Sequence, residues 1–162
     1  MNIFALHSEP IQAAVWHCDK HVVKMALESA QMLCTNLNLL GLETPYKSCH
    51  RNHPCTIWAR QTRSNFVWLC DLGLALCMEY TYRYGKTHAC EKVIEYCYDL
   101  KNHIPEGDLT PFAQAMPDVY KCSDSVQAYR SFYIGEKSDF AVWSMRDQPY
   151  WYLEKENVLL QR

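Results

Sequence analysis

Apolar residues recur along this chain at intervals of three and four, the spacing of one helix face. Val15, Cys18, Val22, Met25 and Met32 form one stripe, with Ser29 filling one step. Ala26, Ala30, Leu33 and Leu37 form a second. No Pro or Gly interrupts residues 11–40, so a long helix is expected over 10–40. Ser8 is its candidate cap, Pro10 lies in its first turn and Gly41 is its stop. Pro54 opens a second expected helix over 54–84, through Trp58, Asn65, Leu69, Leu72 and Leu76 to Gly85. On it Glu79 and Arg83 stand four apart, the spacing of a surface pair worth a few tenths of a kcal/mol. A third helix is expected over 88–101. Pro105, Gly107, Pro111 and Pro117 make the next stretch an irregular crossing. Asp124 with Gln127 resembles a capping box for a fourth helix over 124–143. The tail, Met145–Tyr152, is aromatic and contains Pro149. The expected fold is all-α, one compact helical bundle spanning 1–162 with an irregular C-terminal segment.

Composition adds a compartment and a constraint on partners. The chain has nine cysteines, and residues 1–8 lack the basic start and long apolar run of a secretory leader. Reduced thiols in a cytoplasmic setting are therefore expected, most of them core fillers. No apolar run is long enough for a membrane span. The formal charge is -2 with a pI near 6.4. Avid binding to any DNA needs positive potential, so a nucleic-acid site on this chain has to be a local basic face.

One stripe of the first helix is not apolar. His17, His21, Lys24, Glu28 and Gln31 follow steps of four, three, four and three. They form either a solvated face, with Lys24 and Glu28 as an ordinary pair, or the wall of a polar cleft. The flanking apolar stripes favour the cleft, where a carboxylate can act as acid or base. His17 and His21 are spaced to share a metal. However, the chain has no HExxH, and the cluster Cys49, His50, His53, Cys55 lacks the paired CxxC of a structural zinc module. No metal and no cofactor is expected.

The chain reads CDKHVVKM at 18–25, NHP at 52–54 and RDQPYWY at 146–152; these three segments resemble the endonuclease V type pyrimidine-dimer DNA glycosylases of bacteriophages and a broader phage set with the first two. Asp19-Lys20-His21 is followed by Glu28 at the interval at which that family places its catalytic glutamate after an Asp-X-His. His53-Pro54 and the helix after it resemble the family's second helix. Arg146-Asp147-Gln148-Pro149-Tyr150-Trp151-Tyr152 resembles its Arg-X-Pro-X-Trp-Tyr tail.

The resemblance implies a base-excision glycosylase with AP-lyase activity, acting on damaged or modified duplex DNA in a phage-infected host cell. An amine would attack the sugar C1′, and Glu28 would be the general acid/base. The family's mature first residue is small, whereas Asn2 is large, so Met1 is expected to stay and the nucleophile to be the Met1 amine or Lys24. By position His21 would orient Glu28 or contact phosphate. Arg51, His53, Arg60, Arg63 and Arg146 would contact DNA, and Trp151 and Tyr152 would stack on bases. The family's arginines beside the glutamate are absent here, where Leu27 stands. The alternatives are a nucleotide- or base-modifying enzyme on the same scaffold, or a non-enzymatic binder of a nucleotide or host protein. Thiol titration of the denatured, unreduced protein should find all nine cysteines; six or fewer would refute the reduced-thiol expectation.

Overall fold

The computed structural model describes residues 1–155. These form seven helices: α1 Pro10–Trp16, α2 Asp19–Asn38, α3 Pro54–Gln61, α4 Arg63–Tyr84, α5 Glu91–Asp99, α6 Ser125–Lys137 and α7 Tyr150–Leu153. Two single 3-10 turns, Lys101–His103 and Asp118–Tyr120, lie between α5 and α6. There is no strand among the described residues, so the all-α expectation holds. None of the helices is long and apolar enough to cross a membrane.

The two longest expected helices are each broken, and neither break carries Pro or Gly. At His17-Cys18 the backbone turns extended. The break is made by partners far along the chain. Arg83 donates to the carbonyls of Val15 (2.9 Å) and His17 (2.9 Å), which α1 leaves open at its end. Its Nη1 also meets Asp19 Oδ1 at 3.0 Å. The Cys18 N–H donates to the Tyr133 hydroxyl, and the Asp19 N–H to the Val142 carbonyl. At the second break Thr62 is extended, and its hydroxyl caps α4 by accepting from the Asn65 N–H. The Asn65 side chain returns to the Trp58 carbonyl of α3 at 2.9 Å.

Other boundaries shift for similar reasons. The third helix starts only at Glu91 and hands over to a 3-10 turn at Lys101. The fourth is α6, which stops at Lys137 so that residues 138–144 can return to the α1–α2 corner. There Ser144 donates to Asp19 through its N–H and its hydroxyl. Asp124 caps α6 as expected, accepting from the Val126 and Gln127 N–H groups. Ser8 is not a cap: α1 has no side-chain cap, and the Ser8 carbonyl accepts from the Trp68 indole instead.

The N-terminal residues run through the interior. Ile3, Ala5 and Leu6 are fully buried and Phe4 nearly so. Phe4 adopts φ +41 and stacks on His21 at 4.4 Å between centroids. Gly73 lets α4 approach its neighbours: a Cβ there would lie 2.8 Å from the Ile94 side chain and 3.2 Å from Ser29 Cβ. Seven of the nine cysteines are buried and all nine are free.

Glu79 and Arg83 are not a surface pair. Both are buried, with Arg83 Nε on Glu79 Oε2 at 3.0 Å and Arg146 Nη2 on Glu79 Oε1 at 2.6 Å. Removing one charge from such a network strands the others in a dry environment. Arg83→Met should therefore cost about 3–5 kcal/mol of unfolding free energy. Urea denaturation of this variant tests that, and a loss below about 1 kcal/mol would show that the corner holds without it.

Candidate functional site

Glu28 lies near the middle of α2, a buried carboxylate at 6% exposure. What meets it is the start of the chain. The Met1 amine lies 3.5 Å from Glu28 Oε2, and the Asn2 N–H donates to the same oxygen at 2.8 Å. Lys24, one turn earlier, brings Nζ to 3.6 Å from Oε1, with most of its side chain in water. The Met1 side chain is only 3% exposed although the residue is half-buried, so the surface Met1 keeps is main chain at the amino end.

Asn2 holds this geometry. Its Oδ1 accepts from the Ile3 (2.8 Å) and Phe4 (3.2 Å) N–H groups, and its Nδ2 donates to the Ala115 carbonyl at 2.8 Å. The side chain thus bends the chain's first residues back and ties them to the crossing segment. Arg130 fixes the far end of the segment by donating to the Leu6 carbonyl at 3.0 Å. In the sequence Asn2 stands out only as an obstacle to removing Met1. Nothing in its local pattern announces that its main-chain and side-chain groups together fix the terminus.

The 50–53 turn borders the same site. It is pinned to α2 by Thr35, whose hydroxyl donates to the Gln31 (2.7 Å) and Cys49 (3.1 Å) carbonyls and accepts from the Cys49 N–H. His53 caps α3 through Nδ1, which accepts from the Cys55 N–H, so the neutral ring carries its proton on Nε2. Burial lowers the His53 pKa; the amino-terminal charge and His50 lower it further, and Glu28 opposes them. Arg60 donates to the Arg51 carbonyl at 2.7 Å and reaches Asn36 Oδ1 at 3.4 Å. Met1, Lys24, Glu28 and His53 thus come together, with Arg51 and Arg60 beside the turn that carries His53.

The other sequence candidates lie elsewhere. Trp151 and Tyr152 are 7% and 2% exposed, packed into an aromatic cluster with Trp16, Tyr133 and Trp143. They are core, and the expectation that they stack on bases is corrected. Arg146 is committed to Glu79 and lies over the Tyr82 ring. Arg63 pairs with Glu106 at 3.0 Å. His21 does not orient Glu28: its Nδ1 shares a hydrogen bond of 2.8 Å with the Tyr133 hydroxyl, which also accepts from the Cys18 N–H. His17 sits at the helix break, off the α2 face, and its Nδ1 donates to the Ala13 carbonyl. No group of three His, Cys, Asp or Glu side chains among the described residues is placed to hold a metal ion.

Comparison of the chain with family models, with curated proteins and with solved structures finds no match.

The two buried histidines make stability depend on pH. Burial, with His17 and three lysines nearby, lowers the His21 pKa to about 2. Burial lowers that of His17 to about 4, assisted by Arg83. Protonated His17 would also gain an Nε2–H, at an atom that has no partner. As pH falls below the unfolded value near 6.5, the unfolded chain takes up these protons and the native chain does not. Stability should therefore be full above about pH 7 and fall as pH drops below about 6.5, down to about pH 4 for His17 and about pH 2 for His21, by up to about 1.4 kcal/mol per pH unit for each histidine. Urea titrations at several pH values test this. His21→Phe should flatten the slope, and equal stability at pH 7 and pH 5 would contradict it.

Proposed function

We propose that this chain is a DNA base-excision enzyme of the pyrimidine-dimer glycosylase type, with an amine nucleophile and an associated lyase step. The observation that carries the reading is the amine–carboxylate pair, with the Met1 nitrogen 3.5 Å from a buried Glu28 oxygen. A terminal amine held against a carboxylate is a nucleophile with its base in place. Were Met1 removed, the amine would be the Asn2 nitrogen, 2.8 Å from the same oxygen.

In this reading Glu28 takes a proton from the ammonium. The free nitrogen attacks C1′ of the target nucleotide, the bond from C1′ to the base breaks, and Glu28 passes its proton to the departing base and is a carboxylate again. The ring oxygen then leaves C1′, taking one of the two protons on the attached nitrogen, which gives an iminium between C1′ and the protein nitrogen. Removal of a C2′ proton, with Glu28 the nearest carboxylate to accept it, then expels the 3′ phosphate. Lys24, Arg51 and Arg60 supply positive charge for the backbone phosphates.

A second reading is favoured by one observation. Trp151 and Tyr152 are core residues, and Arg63 and Arg146 are committed to carboxylates, which leaves a small basic face on a chain of net charge -2. A face of that size suits a nucleotide or a short single strand, as an enzyme that modifies a nucleotide or base would need.

Borohydride trapping on a duplex carrying a pyrimidine dimer should give a covalent adduct on the first peptide of the chain, and mass spectrometry identifies which residue bears it. Glu28→Gln should keep the fold and DNA binding and lower turnover by about 10²-fold or more. A stable Gln variant with full turnover removes Glu28 from the chemistry. An adduct with a free nucleotide but not with the duplex selects the second reading.

A further inference from the structure

A groove of about 1010 Å³ runs along α4 between the start of α1 and the 105–109 loop, and it shares no lining residue with the Glu28 site. Its apolar surface comes from Val67, Leu74, Ala75 and Met78 of α4, with Ile11 and Leu109 from the two walls. Ile11 and Met78 are 68% and 69% exposed, high values for large apolar side chains that line one groove. Both walls are fixed to α4. The Trp68 indole donates to the Ser8 carbonyl at 2.7 Å on one side. On the other, the Arg63 N–H donates to the Pro105 carbonyl at 2.7 Å and the Thr62 hydroxyl to the Asp108 carbonyl at 3.0 Å. Gly107 lets the loop lie this close, since a Cβ there would be 2.8 Å from the Thr62 side chain.

The groove's charge is one-sided. Four carboxylates line it, those of Glu9, Asp71, Glu106 and Asp108, against the single guanidinium of Arg63. That guanidinium is already held by Glu106. Asp71 is half-buried, and burial raises its pKa with no opposing cation. A carboxylate in that position gains from a cation brought to it. Nucleic acid is repelled by such a surface, and a purely apolar segment would leave the carboxylates desolvated and unpaired.

We propose that this groove is a docking surface for a segment of a partner protein with an apolar face flanked by lysine or arginine, laid along α4 with its cations on Asp71, Asp108 and Glu9. The apolar floor supplies the contact area, and the carboxylates select the sign of the flanking residues. The inference is independent of the chemistry assigned to Glu28.

The test uses fluorescence anisotropy of a short amphipathic peptide of leucine and lysine on the full chain. Its controls are a leucine–glutamate peptide and a serine–lysine peptide that keeps the charge without the apolar face. The leucine–lysine peptide should bind at least about tenfold more tightly than either control. Met78→Lys and Asp71→Asn should each weaken it about tenfold, and both positions can change without disturbing the buried core. Glu95→Gln, at an exposed carboxylate on α5 outside the groove, should leave binding unchanged. Equal binding of the serine–lysine peptide, or equal loss with Glu95→Gln, would show unspecific attraction to an acidic protein and overturn the proposal. A chain that sediments as a dimer and returns to monomer with Met78→Lys would assign the groove to a second copy and overturn it as well.

Discussion

The structure depends on what happens to one charge. Burying residues 2–6 gains apolar contacts from Ile3, Phe4 and Leu6, but it draws the chain's own ammonium to the edge of the core. The ammonium keeps contact with water there, so the costlier charge is the buried Glu28 carboxylate, which the amine and the Asn2 N–H satisfy. Glu28 supplies the counter-charge, and the Asn2 N–H shares the carboxylate oxygen with the amine. The position of Glu28 on α2, the return of the crossing segment to Asn2, and the reach of Arg130 to Leu6 are all conditions for that arrangement. A pair of this kind is weak evidence of stability by itself.

A second charge network sets the direction of α2. Arg83 closes the end of α1, meets Asp19 at the start of α2, and holds Glu79 jointly with Arg146. With a straight helix over 10–40, His17 would share the Glu28 face. The break takes only His17 off that face; His21, still on α2, lies with it in the aromatic interior against Phe4, and Lys24 and Glu28 further along α2 meet at the chain terminus. The polar stripe therefore splits into a neutral, buried part and a charged part beside the chain terminus.

The same division separates what is legible in the sequence from what is not. The helical period identifies α2, α4 and α6 and puts Lys24 beside Glu28, because spacing on one helix is local information. The breaks at His17 and Thr62 are invisible to it, because their causes are Arg83, Tyr133, Val142 and Asp108, far along the chain. Trp151 and Tyr152 are hidden in the same way: aromatic residues in a tail fit a stacking surface as well as a core, and only their packing on Trp143 and Tyr133 decides. That Met1 lies against Glu28 follows from no spacing at all, and only the family resemblance suggests it.

Asn2 and Leu6 precede Ala115 and Arg130 by more than a hundred residues, so during synthesis these two contacts are among the last to form. Glu28 and His21 are near partners of this segment, but the contacts that tie down both of its ends have to wait until most of the chain has emerged. During that interval Met1 and Asn2 are not held in the fold and stay open to modifying enzymes. Acetylation of the Met1 amine in this window would remove the charge that sits against Glu28, and with it the proposed nucleophile, before the fold could shelter it.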